Sequence, residues 1–156
     1  MRYLALTALF TSALATSYAP LPFNITDYAF ESDPQGPVHV TFTLGTYTNS
    51  AIYCTKSRGA RQYDGVPSGA SPCTWIDGPV DGNFQYWFFL APAAEPSDLN
   101  PSGYTVGVYH QAAPGKTLWG NGRMLIPNKC ASSTEGYLKC NQVGDLYSDK
   151  FYPRLL

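Results

Sequence analysis

Charge is what this chain has least of. Asp, Glu, Lys and Arg make up only 13% of its 156 residues, and the formal net charge is −1. Proteins that grip a phosphate backbone or an anionic membrane do so with clustered Lys and Arg, so no nucleic-acid or membrane partner is expected. Helix signals are almost missing too: beyond Pro20, Gly or Pro interrupts every apolar stripe at i, i+3 and i+4. The most apolar internal run, YWFFLAPAA, is about half a membrane span and is broken by Pro92, so no anchor is expected. Histidine occurs twice, as His39 and His110. No G-x-S-x-G, H-E-x-x-H, EF-hand or P-loop pattern occurs, so no motif supplies a nucleophile, a metal or a phosphate cradle.

The first stretch, MRYLALTALFTSALATSYAP, places Arg2 ahead of an apolar segment, 3–14, that is too short to span a bilayer. That is the pattern of a secretory signal peptide. A buried helix is the weaker reading, because Pro20 and Pro22 would end it and no polar positions recur at helical spacing. The small residues Ala13 and Ala15 predict cleavage before Thr16. A leader over 1–15 and a single domain over 16–156 are therefore expected. The product is secreted and extracellular on this reading, with cell-wall association a variant of it. About 140 residues suffice for one domain with its own core. With 14 Gly, 13 Pro and 12 Tyr, the composition points to a loop-rich all-β domain.

Four cysteines, Cys54, Cys73, Cys130 and Cys140, are spaced C-x18-C and C-x9-C. Zinc knuckles and thioredoxin-like pairs both want C-x-x-C, so neither a metal site nor a redox pair is expected, and no cofactor is implied. Export makes disulfides the default. Four cysteines allow three pairings, and spacing does not choose among them. The expected pairing is Cys54 with Cys73 and Cys130 with Cys140, since each pair brackets a polar segment rich in turn-forming residues.

Strand signals are plentiful. PVHVTFTL alternates Val38, Val40, Phe42 and Leu44 on one face against His39, Thr41 and Thr43 on the other. NFQYWFFL is apolar on both faces, which predicts a central strand. FNITDYAFES, AIYCTK, CTWID, YTVGVYHQ, TLWGNGRMLIP, GYLKC and DLYSDKFY are further candidates, separated by turns such as SDPQGP and DGPVDGN. In LWGNGRM, Asn121-Gly122 predicts either a hairpin turn or a bulge within one longer strand. Eight or nine short strands read as a compact single-domain antiparallel β-barrel, or a sandwich-like barrel, with two disulfides.

Candidate chemistry was sought among acids, bases and aromatics. His39 and His110 would be the acid and base of a small ribonuclease; the plainer reading leaves both on solvent-facing strand positions. Asp77 and Asp81 would be the paired carboxyls of a carbohydrase; the plainer reading gives them turns, since Gly follows each closely. Phe84, Tyr86, Trp87, Phe88 and Phe89 are expected in the core. Tyr47, Tyr63, Tyr104 and Trp119 lie at strand ends or beside turns and are the binding candidates, able to stack on a sugar or a flat ligand or to anchor a protein. Lys56, Arg58 and Arg61 form a local basic patch in a loop. Asn24-Ile25-Thr26 is an N-glycosylation sequon. No convincing catalytic set emerges, so a non-enzymatic binding protein is expected. A small secreted hydrolase and a carbohydrate-binding wall module are the alternatives.

The arrangement of ITDYAFES, VHVTFTL, AIYCTK and the closing block NKC…GYLKCNQVGDLY resembles the secreted fungal family typified by the major allergen of Alternaria. The resemblance spans most of 16–156. It implies a compact β-barrel with the same two disulfides, and secreted or wall-bound members without enzymatic activity. Some act on plants as elicitors or virulence effectors, contact thaumatin-like defence proteins of the host, or carry phenolic ligands of the flavonoid type. Those partners are implied here as well. The founding allergen joins its dimer through a fifth cysteine, and 16–156 has four, so a monomer or non-covalent dimer is expected.

Overall fold

The structure, a computed structural model, describes residues 22–46, 51–59, 69–76, 85–95, 97–111, 118–120, 123–148 and 152–154. The leader, Tyr47, Arg61, Tyr63, Asp77, Asp81, Phe84 and the Asn121-Gly122 turn lie outside the described residues. The described residues form twelve strands: β1 (Phe23–Asp33), β2 (Gly36–Thr46), β3 (Ala51–Ser57), β4 (Ser71–Trp75), β5 (Gln85–Pro92), β6 (Tyr104–Gln111), β7 (Leu118–Gly120), β8 (Met124–Leu125), β9 (Asn128–Ser132), β10 (Leu138–Gln142), β11 (Leu146–Ser148) and β12 (Tyr152–Arg154). They form one antiparallel sheet in the order β12-β7-β6-β5-β4-β3-β2-β1-β10-β9, with β11 also on β1 and β8 also on β6. The all-β expectation holds, and the sheet curls into a half-barrel around its core.

The curl follows from strand alternation. In β1, Phe23, Ile25, Tyr28 and Phe30 are buried; in β2, Val40, Phe42 and Leu44 are. Their neighbours Asn24, Thr26, Thr41 and Thr43 stand on the opposite face, because successive side chains alternate. Bending brings the apolar face of β1 and β2 onto Phe88, Val106 and Val108 of β5 and β6. Phe42 meets Phe88 edge-on with ring centroids 4.9 Å apart, a favourable quadrupolar arrangement. β5 is central, as its two apolar faces predict: Tyr86 and Phe88 join this core, while Trp87 packs with Tyr109, Leu118 and Ala70 on the other side.

Between Thr26 and Ala29 the β1–β2 register shifts, and Asp27 takes a left-handed backbone, φ 57°. That is a β-bulge, which bends and twists its strand. A bulge leaves ladder groups without their regular partners, and the Gln142 side chain supplies substitutes. Its Nε2 donates to the carbonyl of Ile25 at 2.7 Å, and its Oε1 accepts the Tyr28 N–H at 3.1 Å.

β7 and β8 both run antiparallel to β6, Trp119 opposite His110 and Met124 opposite Val106. Two arms of a hairpin cannot lie along one strand in one direction. β7 and β8 therefore follow β6 in the same direction, with their registers on it offset by one residue. Only Ile126 and Pro127 then separate β8, on the β6 flank, from β9, on the β10 flank. No ladder joins β9 to β12 among the described residues. The two flanks meet instead through this short crossing, with Ile126 buried beneath it.

Both disulfides have the expected pairing, Cys54–Cys73 and Cys130–Cys140. Each joins residues directly opposite one another on neighbouring strands, β3 with β4 and β9 with β10. Cys54 and Cys140 are buried in the core, so the bridges pack as apolar mass as well as cross-links. The strand β9 escaped the sequence reading, because NKCAS carries too few apolar residues to alternate.

Candidate functional site

The two histidines do not share a cleft. On β2, His39 lies opposite the buried Val40 and Phe42 parity, with its Nδ1 2.9 Å from the Ser57 hydroxyl. His110 shares the parity of Val106 and Val108 and is only 4% exposed. The expectation of a solvent-facing His110 is corrected: its position two residues beyond Val108 places it on the core face. Its ring sits 4.4 Å, centroid to centroid, from Tyr86. Burial disfavours the charged imidazolium and lowers its pKa to about 4, and burial likewise pushes the Tyr86 phenol up to about 12.

The sequence-predicted binding residues that are described sit apart. Tyr104 is half-buried and packs on Phe30 with centroids 5.1 Å apart, at the edge of the core. Trp119 is half-buried beside His110. Arg58 is engaged in a clamp on the β1–β2 hairpin. Its guanidinium donates to both Asp33 carboxylate oxygens, at 2.6 and 2.7 Å, and to the carbonyls of Gly36 and Pro37. The clamp holds the Asp33 carboxyl below the usual range. Gly36, at φ 112°, allows the turn its left-handed step. Among the described residues, no group of three or more His, Cys, Asp or Glu side chains gathers to hold a metal ion.

What the fold does bring together lies at the crossing between the flanks. The loop from β5 to β6 reaches β9 there, where the Asn128 N–H donates to the Leu99 carbonyl at 2.9 Å. Beneath it is a buried polar knot. Asn128 Nδ2 donates to Asn100 Oδ1 at 2.8 Å, to Ser102 Oγ at 3.1 Å and to the Ile126 carbonyl at 2.7 Å. Ser102 Oγ donates to Asn100 Oδ1 at 2.5 Å, and Asn100 Nδ2 to the Tyr104 carbonyl at 2.8 Å. The Tyr28 hydroxyl is buried without a hydrogen-bond partner, and burial raises its pKa. Asn100, Ser102 and Asn128 are all buried and bonded to one another, and such a network favours one geometry because breaking it leaves polar atoms unpaired.

The segments that meet at this crossing also carry exposed apolar side chains. Leu99, 73% exposed, lies beside Asn128; Val143 bonds its N–H to the Pro127 carbonyl at 2.9 Å; Leu125 is two residues before Pro127. All three are among the most exposed large apolar residues described. A polar cleft of about 490 Å³ opens next to Val143, lined by Thr26, Asp27, Tyr28, Asn141, Gln142, Gly144 and Asp145. Exposed apolar side chains near a polar, acidic cleft make a combination that protein interfaces use. Sequence reasoning missed it, since Leu99, Leu125 and Val143 come from three separate loops and strands with no shared motif.

No protein-family model matches the chain, and no curated protein matches it. Among solved structures it is similar to the crystal structure of Alternaria alternata allergen Alt a 1, at 13% identity and a TM-score of 0.41, over 91% of this chain and 95% of that one. The two disulfides are compatible with an extracellular protein.

Proposed function

We propose that this chain is an exported, non-catalytic binding protein that engages a protein partner through the patch of Leu99, Leu125 and Val143. The observation that carries the reading is three exposed apolar side chains on the segments that meet beside a buried, hydrogen-bonded knot. Exposed apolar surface is costly in water and marks interaction sites when its scaffold is rigid. Asp27 and Asp145 at its margin favour a partner presenting an apolar knob with basic neighbours. The resemblance to the fungal allergen-like family directs the search to extracellular host proteins of plants, thaumatin-like defence proteins first. A phenolic ligand is the lesser candidate, because the cleft beside the patch is predominantly polar, whereas small-molecule sites are mostly apolar. The hydrolase alternative is disfavoured by His39 and His110 standing on opposite faces of the sheet.

The test immobilises the folded protein and measures binding to purified plant extracellular proteins, with Leu99→Asp and Leu125→Asp combined in one variant. Loss of at least about tenfold in affinity at an unchanged melting midpoint is the expected result for residues at an interface centre. Equal binding by wild type and variant would place the interface elsewhere.

A further inference from the structure

Asn24 and Thr26 of the sequon stand on the outer face of β1, opposite the buried Phe23 and Ile25. In register across the sheet, Asn24 faces Gly45 of β2 on one side and Tyr147 of β11 on the other, and Gly45 faces Ala51 of β3. The row Tyr147–Asn24–Gly45–Ala51 bears no charge. Gly45 is where a side chain is least tolerable, since a Cβ there would run into the Asn24 side-chain amide. The Asn24 amide therefore lies over Gly45, with Tyr147, which is 56% exposed, on its other side.

We propose that Asn24 is an N-glycosylation site and that the first sugars of its glycan lie against the Tyr147 ring. Transfer acts on the extended chain in the secretory lumen, with a lipid-diphosphate-linked oligosaccharide as donor. Asn24 Nδ2 forms a bond to the anomeric carbon of the first sugar, the bond from that carbon to the diphosphate oxygen breaks, and the amide proton passes to the leaving group or an enzyme base. The folded sheet then has to accommodate the product. On an inward position the glycan would block folding; on this one it emerges beside a glycine and an aromatic face. Sugar C–H surfaces pack on Tyr rings, and an uncharged row suits a neutral saccharide. This inference stands apart from the partner-binding reading, since it needs only export and the geometry around Asn24.

The experiment secretes the full chain from a yeast host behind the host's own leader, so that it does not depend on residues 1–15. Wild type and Thr26→Ser are expected to carry added mass that peptide N-glycosidase removes, while Thr26→Ala and Asn24→Gln migrate at the peptide mass. Wild type secreted at its peptide mass, in cells that modify a control sequon, would overturn the site. For placement, the melting midpoint is compared before and after glycan removal. Wild type is expected to lose about 3 °C and Tyr147→Ala to lose nothing. An equal loss in both proteins would overturn the contact with Tyr147.

Discussion

Lowering the pH through the titration of His110 should destabilise this protein in a window that its other perturbed groups leave free. The folded pKa is lowered from 6.5 to about 4 by burial, so the folded state holds the ring neutral where the unfolded chain would protonate it. The stabilisation is full above the unfolded value and is lost as pH falls from about 6.5 towards about 4. Each pKa unit is worth about 1.4 kcal/mol, which gives a loss of about 2.5 kcal/mol between about pH 7.5 and about pH 4.5. Glu31 and Asp33, whose pKa values are lowered by Lys139 and by Arg58, keep their stabilising charge through most of that interval and give it up below it. Urea unfolding at the two pH values reads the effect directly. With a slope of about 2 kcal/mol per molar, the midpoint of wild type falls by about 1 M. His110→Gln removes the titration while keeping a planar polar side chain, so its midpoint should change far less between the same pH values, whatever its absolute stability. The same fall in wild type and variant would refute the assignment of the acid sensitivity to His110.

Three further outcomes are expected. Asn128→Ala deletes three donated hydrogen bonds and leaves the Ile126 carbonyl and the Ser102 N–H without the side-chain partner they have in a buried site, which should cost about 2–3 kcal/mol in denaturant unfolding and raise hydrogen exchange in the β5–β6 loop. Replacing Cys54 and Cys73 together with Ala opens a ring of sequence separation 19, and chain entropy assigns it about 3 kcal/mol, measurable as a lower unfolding midpoint under non-reducing conditions. Arg58→Gln removes the donors on the Asp33 carboxylate, so an NMR titration should find the Asp33 pKa moved up towards its ordinary value; no movement would mean the clamp is not formed in solution.

Much of the fold is written locally. The strict alternation of Val40, Phe42 and Leu44 dictates which face of β2 is buried, and the two-sided apolar pattern around Phe88 dictates a central strand. Turn chemistry at Asp33 to Gly36 fixes the first hairpin, where the Asp33 carboxylate accepts the Gln35 N–H at 2.8 Å. Alternation has a limit at strand ends, and His110 shows it. Beside Gln111 it looks like a solvent-facing position, yet parity with Val108 places it inside, and parity counts only once the partners of β6 are known.

The sequence by itself determined an all-β chain, the candidate pairing of the four cysteines, the scarcity of charge and the sequon at Asn24. These depend on residue type and near spacing, which a linear reading contains. Only the tertiary structure decided that the flanks of the sheet meet at Ile126 and Pro127, that Asn100, Ser102 and Asn128 knot together there, and that the exposed Leu99, Leu125 and Val143 sit on the segments joined at that point. It also decided that Gly45 and Tyr147 flank Asn24. The physical reason is the same each time: strand register and sheet curl bring together residues from distant segments, and no local propensity records that meeting.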